Sequence, residues 1–137
     1  MNLRESTIPN KEQELIHKYS YMFKYMEDKK ELYPIKFGFE CDNGWIPLIE
    51  ILLKGISKID IKKTVRVFQI KEKFGGLRFY IEFTEPVEYS KVIYNLITKA
   101  EEASYNICEV CGASPAKQTS NGWITTLCPA CIGNSKC

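Results

Sequence analysis

One histidine, His17, is all that the 137 residues provide, and this shortage removes much hydrolytic and nucleophilic chemistry at once. A general base needs a positioned partner, and His17 has no acid or cysteine placed beside it to serve as one. It reads as a surface or partly packed helix residue. The H-E-x-x-H spacing needs two histidines, and no G-x-S-x-G elbow occurs. Long apolar runs are equally scarce. The longest, WIPLIEILL at 45–53, is interrupted by Glu50 and is too short to cross a bilayer. The opening MNLRESTIPNKEQ has neither the apolar core nor the cleavage pattern of a secretory signal, so the expectation is a soluble cytoplasmic protein with no membrane partner. There is no internal repeat or low-complexity segment, and no Gly/Ser/Pro-rich joint between Glu101 and Cys108. A single compact domain over 1–137 is therefore expected, with a body at 1–107 and a C-terminal module at 108–131 packed on it.

Cysteine, by contrast, is present in a pattern. CEVCGASPAKQTSNGWITTLCPAC holds two C-x-x-C pairs with sixteen residues between them. Two thiolates separated by two residues can turn around one ion, and a second pair returning after a hairpin completes a tetrahedron of soft ligands that suits zinc. Cys108, Cys111, Cys128 and Cys131 are the expected ligands of one zinc ion. Gly112 allows the tight knuckle turn, Asn121-Gly122 marks a two-residue hairpin turn, and WITTL supplies the strand leading into the second pair. The segment reads as a zinc ribbon; two disulfides instead would need an oxidising compartment. Four thiolates leave no coordination position open to water or substrate, which makes the metal structural. They also change the charge. Four thiolates and one divalent ion sum to minus two, offsetting the formal +2 of the chain, so net charge alone does not point to nucleic acid. Cys41 and Cys137 lack paired spacing and are expected to be free, Cys41 as a small buried hydrophobe rather than a nucleophile.

The body alternates two periodicities. From about Asn10 to Lys29, Leu15, Ile16, Tyr19, Met22, Phe23 and Met26 form an amphipathic helical stripe, with Pro9 placed to open it. ELYPIKFGFECDNGW reads as a connection. Pro47 then opens a second helix, with Trp45, Leu48, Ile49, Leu52, Leu53, Ile56 and Ile59 on its apolar face and an end near Lys58. Val65 and Val67 begin a strand, and Leu77, Phe79, Ile81 and Phe83 alternate with Arg78, Tyr80 and Glu82 in a second, so a β-hairpin turning at Gly75-Gly76 is expected. The Walker spacing that would make this glycine pair a phosphate cradle is absent. After Pro86, Val92, Ile93, Leu96, Ile97, Ala100 and Ala103 recur at helical spacing, and the helix runs toward Cys108. The expected fold class is α+β: helices packed on a small antiparallel hairpin or sheet, with a C-terminal zinc ribbon.

Charge is uneven along this order. Residues 54–78 hold eight Lys or Arg and two acids, a local plus six, whereas 79–110 hold six acids and two Lys, a local minus four. Lys71, Lys73, Arg78 and the neighbouring Tyr80 are the candidate partner-binding patch, cations beside an aromatic on the strand face turned away from the core. The alternative is a solvated face neutralised by Glu82, Glu85 and Glu88.

GFECDNGW, QIKEKFGGLRFY, AEEASYNICEVCGASP and GWITTLCPAC, taken in this order, resemble a group of small bacteriophage- and prophage-encoded proteins, over roughly residues 37–131. Ala116 departs from the glycine-richer turn expected of the group. The resemblance carries no activity residue by residue. It implies an accessory protein of the bacterial host cytoplasm, of the kind that binds and blocks a host protein or ribonucleoprotein complex. The expected function is accordingly a non-enzymatic, zinc-binding inhibitor or adaptor, such as an anti-CRISPR-like protein acting against host defence. The alternative is a nucleic-acid-binding zinc-ribbon module, although no helix carries a dense basic stripe.

Overall fold

The computed structural model describes residues 10–27, 33–120 and 122–133, which form four α-helices and five strands. Helix α1 (Lys11–Lys18) is capped by Asn10, whose side chain accepts a hydrogen bond from the Gln13 amide at 3.2 Å. The single long helix expected over 10–29 does not form. The backbone leaves helical geometry at Tyr19 (φ −111°, ψ 38°) and continues as a 3₁₀ segment, Ser20–Met26, itself kinked at Phe23. Tertiary bonding explains the break. Tyr21, on the polar side of a straight helix, here donates its hydroxyl to Asp60 at 2.8 Å, while Phe23 stacks on Phe39. Pro9 and the expected end at Lys29 lie outside the described residues.

The segment read as a connection contains a third strand. β1 (Phe39–Glu40) runs parallel to β2 (Val65–Lys73), which pairs antiparallel with β3 (Gly76–Phe83) in a mixed sheet of order β1-β2-β3. A bulge at Phe68 lets Val67 and Ile70 both face the core, so strict alternation in β2 is broken while that in β3 holds. The turn lies one residue earlier than the glycine pair suggests. Lys73 pairs with Gly76, and the two loop residues are Phe74 (φ 53°) and Gly75 (φ 84°), the doubly positive geometry that matches hairpin twist. Gly76 belongs to the strand for a different reason: a Cβ there would overlap the Tyr105 ring.

Helix α2 (Ile46–Ile59), with Pro47 in its first turn, and helix α3 (Ser90–Ser104) pack on each other, and α3 lies against β3. Their apolar faces join Leu15, Met22, Ile35, Val65, Leu77 and Phe79 in one core. Trp45 is completely buried in it and donates its indole N–H to the Ile107 carbonyl at 2.9 Å. The expected α3 stripe is too wide: Ile93, Ile97 and Ala100 are buried, but Val92 and Ala103 are exposed. The helix also stops at Ser104, leaving 105–107 as a turn into the first cysteine.

Side chains take up backbone amides along β3 and just past β1. The Leu77 amide donates to Ser104 Oγ and the Phe79 amide to Glu101 Oε2, each at 2.9 Å, and beyond β1 the Asp42 amide reaches Glu109 Oε2 at 3.2 Å. Asp60, 1% exposed, gathers five donors: the Thr64 amide and hydroxyl, the Val65 amide, and the Tyr21 and Tyr89 hydroxyls. It fastens the end of α2 to β2, α3 and the 3₁₀ segment at one point. Among the described residues no buried side-chain nitrogen or oxygen lacks a partner, and no helix is long and apolar enough to cross a membrane.

Candidate metal centre and partner surface

Two knuckles build the C-terminal site. In the first, the Cys108 amide donates to Ala113 O and the Gly112 amide to Cys108 O, both at 2.8 Å, and Gly112 takes the left-handed conformation (φ 83°) that closes the loop. In the second, Cys128 precedes the four-residue helix α4 (Pro129–Ile132), and its carbonyl accepts from the Cys131 amide at 3.0 Å. Between them, β4 (Lys117–Ser120) and β5 (Ile124–Leu127) pair antiparallel and bring the second knuckle back to the first. All four expected ligands meet. The sulfurs of Cys108, Cys111, Cys128 and Cys131 lie within 4.8 Å of one another.

The spacing fits a tetrahedral ion. Metal–sulfur bonds of about 2.3 Å at tetrahedral angles put sulfurs roughly 3.8 Å apart; Cys111 Sγ stands 3.5 Å from Cys128 Sγ and 3.7 Å from Cys131 Sγ. Burial pushes the Cys108 thiol up, but the amides of Cys111, Cys128 and Val110, together with the Cys111 thiol, outweigh it and bring Cys108 down to about 7. A thiolate is thus accessible at neutral pH before any metal arrives. Four sulfurs so placed can hold a structural metal ion.

The ribbon is locked to the body at several points. Gly44 lies so close to the first knuckle that a Cβ there would overlap the carbonyls of Cys108 and Glu109, and its amide donates to Glu109 O at 2.7 Å. On the opposite side, the Thr126 hydroxyl donates to the Gly75 carbonyl, and Ile124 Cγ2 would lie 3.0 Å from a Cβ at Gly75. The ribbon hairpin therefore rests directly on the tip of the β2–β3 hairpin.

That docking shapes the sequence-predicted patch. Cross-strand pairs Lys71–Arg78 and Gln69–Tyr80 place Lys71, Lys73, Arg78 and Tyr80 on one face of the hairpin. They are not equivalent. Arg78 is half-buried, and its guanidinium donates to Tyr105 Oη at 3.1 Å and Leu77 O at 3.0 Å, so it ties the strand to the turn before the ribbon. Tyr80 is 39% exposed, Lys73 stands 5.7 Å from the Phe74 ring centroid, and Glu40 is the strand neighbour of Lys71 on β1.

Two residues of this surface escape the sequence reading. Phe74 is 66% exposed and Trp123 is 73% exposed. WITTL reads as strand throughout, but β5 begins at Ile124 and Trp123 belongs to the loop after Ser120; Asn121, half of the expected two-residue turn, lies outside the described residues. The available signal was positional: an aromatic inside a two-residue turn and another directly after Asn-Gly have no strand face to bury them.

Other candidate groups are engaged or unreactive. Burial pushes the half-buried Cys41 thiol up to about 12, helped by the carboxylates of Glu109, Glu12, Asp42 and Glu72, so it stays protonated at neutral pH. His17 is exposed on α1, and Cys137 lies outside the described residues. No protein-family model, curated protein or solved structure matches the chain.

Proposed function

We propose that this protein is a zinc-stapled, non-enzymatic binding module that engages a host protein as an inhibitor or adaptor, a phage-type accessory role in the anti-defence class. One contrast supports the binding-module reading; the phage-type, anti-defence role comes from the sequence resemblance. Four carboxylates are engaged with the fold, Asp60 by its five donors, Glu72 by the Gly75 amide at 2.7 Å, Glu101 by the Phe79 amide and Glu109 by the Asp42 amide. Meanwhile Phe74 and Trp123 stand in solvent at the joined tips of two hairpins. Large aromatics left exposed and grouped are what an interaction surface requires and what a catalytic cleft does not.

Zinc is the metal that the ligand chemistry favours, since four thiolates in a closed tetrahedron select it among divalent ions and leave it structural. The test is affinity capture from bacterial lysate with the zinc-loaded protein, with and without nuclease treatment. A defined protein that co-elutes stoichiometrically after nuclease treatment supports the reading. Capture that disappears with nuclease indicates a nucleic-acid module instead, and no specific capture removes the proposal.

A further inference from the structure

The groove between the two hairpin tips has a volume of about 450 Å³ and is lined by Lys71, Glu72, Lys73, Phe74, Trp123 and Ile124, with Gly122 at its rim. Half of it belongs to the body and half to the ribbon. Its apolar surface is Phe74, Trp123 and Ile124, the last 39% exposed. Its only acid is Glu72, which spends an oxygen on the Gly75 amide at 2.7 Å. Lys71 and Lys73 form no ion pair with any described residue, which leaves both ammonium groups available to a ligand's carboxylates, Lys73 with a glycine as its strand partner and Lys71 beside Glu40 on β1.

Resting on the protein-binding reading above, we infer that this inter-tip groove docks an acidic segment of the partner protein, inserting one large apolar side chain between Phe74 and Trp123 while flanking carboxylates meet Lys71 and Lys73. Three observations select this occupant. The volume suits one or two side chains rather than a folded surface. An aromatic centre rimmed by cations matches the anatomy of a protein hot spot, and the cations call for carboxylates. A nucleic-acid strand needs a longer basic track, but beyond the groove Lys71 neighbours Glu40 and the Arg78 guanidinium is already bonded to Tyr105 and Leu77. The groove also depends on the metal, because Trp123 and Ile124 reach it only while the ribbon is folded onto Gly75.

Selection from a displayed library of random dodecapeptides on the zinc-loaded protein tests this directly. Enriched peptides should be net acidic and contain Leu, Ile, Phe or Trp. Binding of the best one should shift the emission of Trp123 to the blue, the other tryptophan, Trp45, being fully buried. Trp123→Ala and the pair Lys71→Glu, Lys73→Glu should each weaken that peptide by about 30-fold, the loss expected of a true anchor, while melting temperature and zinc content stay unchanged. Chelated protein should not bind. Neutral or basic consensus peptides, undiminished binding to the Trp123→Ala variant, or tighter binding of a dT20 oligonucleotide than of any selected peptide would each overturn the inference. The two proposals fail separately. If the substituted variants still co-elute with the same nuclease-resistant protein, only the groove assignment falls; if the wild type captures none, the protein-binding reading falls with it.

Discussion

Gly44→Ala tests how the body grips the metal knuckle. Gly44 is not in the left-handed region, so alanine is acceptable to its backbone and the cost comes from space alone. The added methyl would overlap the Cys108 carbonyl oxygen and the Glu109 carbonyl group. These are backbone atoms and cannot rotate aside as a flexible side chain would. Relief requires the short 3₁₀ turn Asn43–Trp45 to move away from the ribbon, lengthening the 2.7 Å hydrogen bond from the Gly44 amide to Glu109 O. Overpacking costs about 1–3 kcal/mol, and the weakened buried hydrogen bond adds about 1 kcal/mol. A total of about 3 kcal/mol, at roughly 4 °C per kcal/mol for a domain of this size, lowers Tm by about 12 °C. Because the overlapped atoms are the carbonyls of residues 108 and 109, any strain taken up on the ribbon side shifts the first knuckle, and metal affinity should fall as well. Thermal unfolding followed by circular dichroism, paired with zinc competition against a chromophoric chelator, reads both effects. Gly133→Ala is the control: its φ is −102° and a Cβ there meets nothing within 4 Å. If Gly44→Ala melted within about 2 °C of wild type and kept its zinc affinity, the ribbon would not be seated on Gly44 and the reasoning would fail.

Trp45→Ala should cost about 3–5 kcal/mol, by emptying a fully buried site and removing the donor to Ile107 O, and chemical denaturation should show it; a wild-type midpoint would refute the core arrangement. Burial pushes the Asp60 carboxyl up, but the Tyr89 and Tyr21 hydroxyls and the Thr64 and Val65 amides together hold it below its ordinary value. Its stabilisation is therefore complete above the unfolded pKa of about 3.9 and is lost as pH falls through the lower folded value. Asp60→Asn should be less stable than wild type at neutral pH, with the gap narrowing as pH falls below the unfolded carboxyl value and through the lower folded one; a pH-independent gap would show that charge is not what Asp60 supplies. Cys128→Ser should lose tetrahedral thiolate binding, seen as failure to develop the cobalt–thiolate absorption of wild type, and full metal stoichiometry in that variant would rule Cys128 out as a ligand. Lys71→Glu, Lys73→Glu, Arg78→Glu should be less stable than the lysine pair alone, because only Arg78 is bonded into the fold; equal melting temperatures would contradict that distinction.

The metal centre was legible in the chain because its determinants are local. Two thiols per knuckle, Gly112 to close the first loop and a hairpin-length spacer restrict the segment to few arrangements, and the four sulfurs converge as the spacing implies. The α2 helix, the β3 strand and the α+β class were legible for a similar reason: periodicity survives wherever an element packs by one face. The long N-terminal helix was not, because its stripe ignores Tyr21, whose bond to Asp60 reaches 39 residues along the chain and outweighs helical continuity. β1 is only two residues long and is recruited by pairing with Ile70 and Lys71, a contact that no local pattern encodes. The partner surface divides along the same line. Lys71, Lys73, Arg78 and Tyr80 share a face because strand alternation puts them there, and that follows from the sequence. The fold alone commits Arg78 to Tyr105, 27 residues away at the end of α3, and sets Trp123 opposite Phe74 by seating the ribbon against Gly75, a meeting of segments about fifty residues apart; both are governed by packing rather than by any neighbour in the chain.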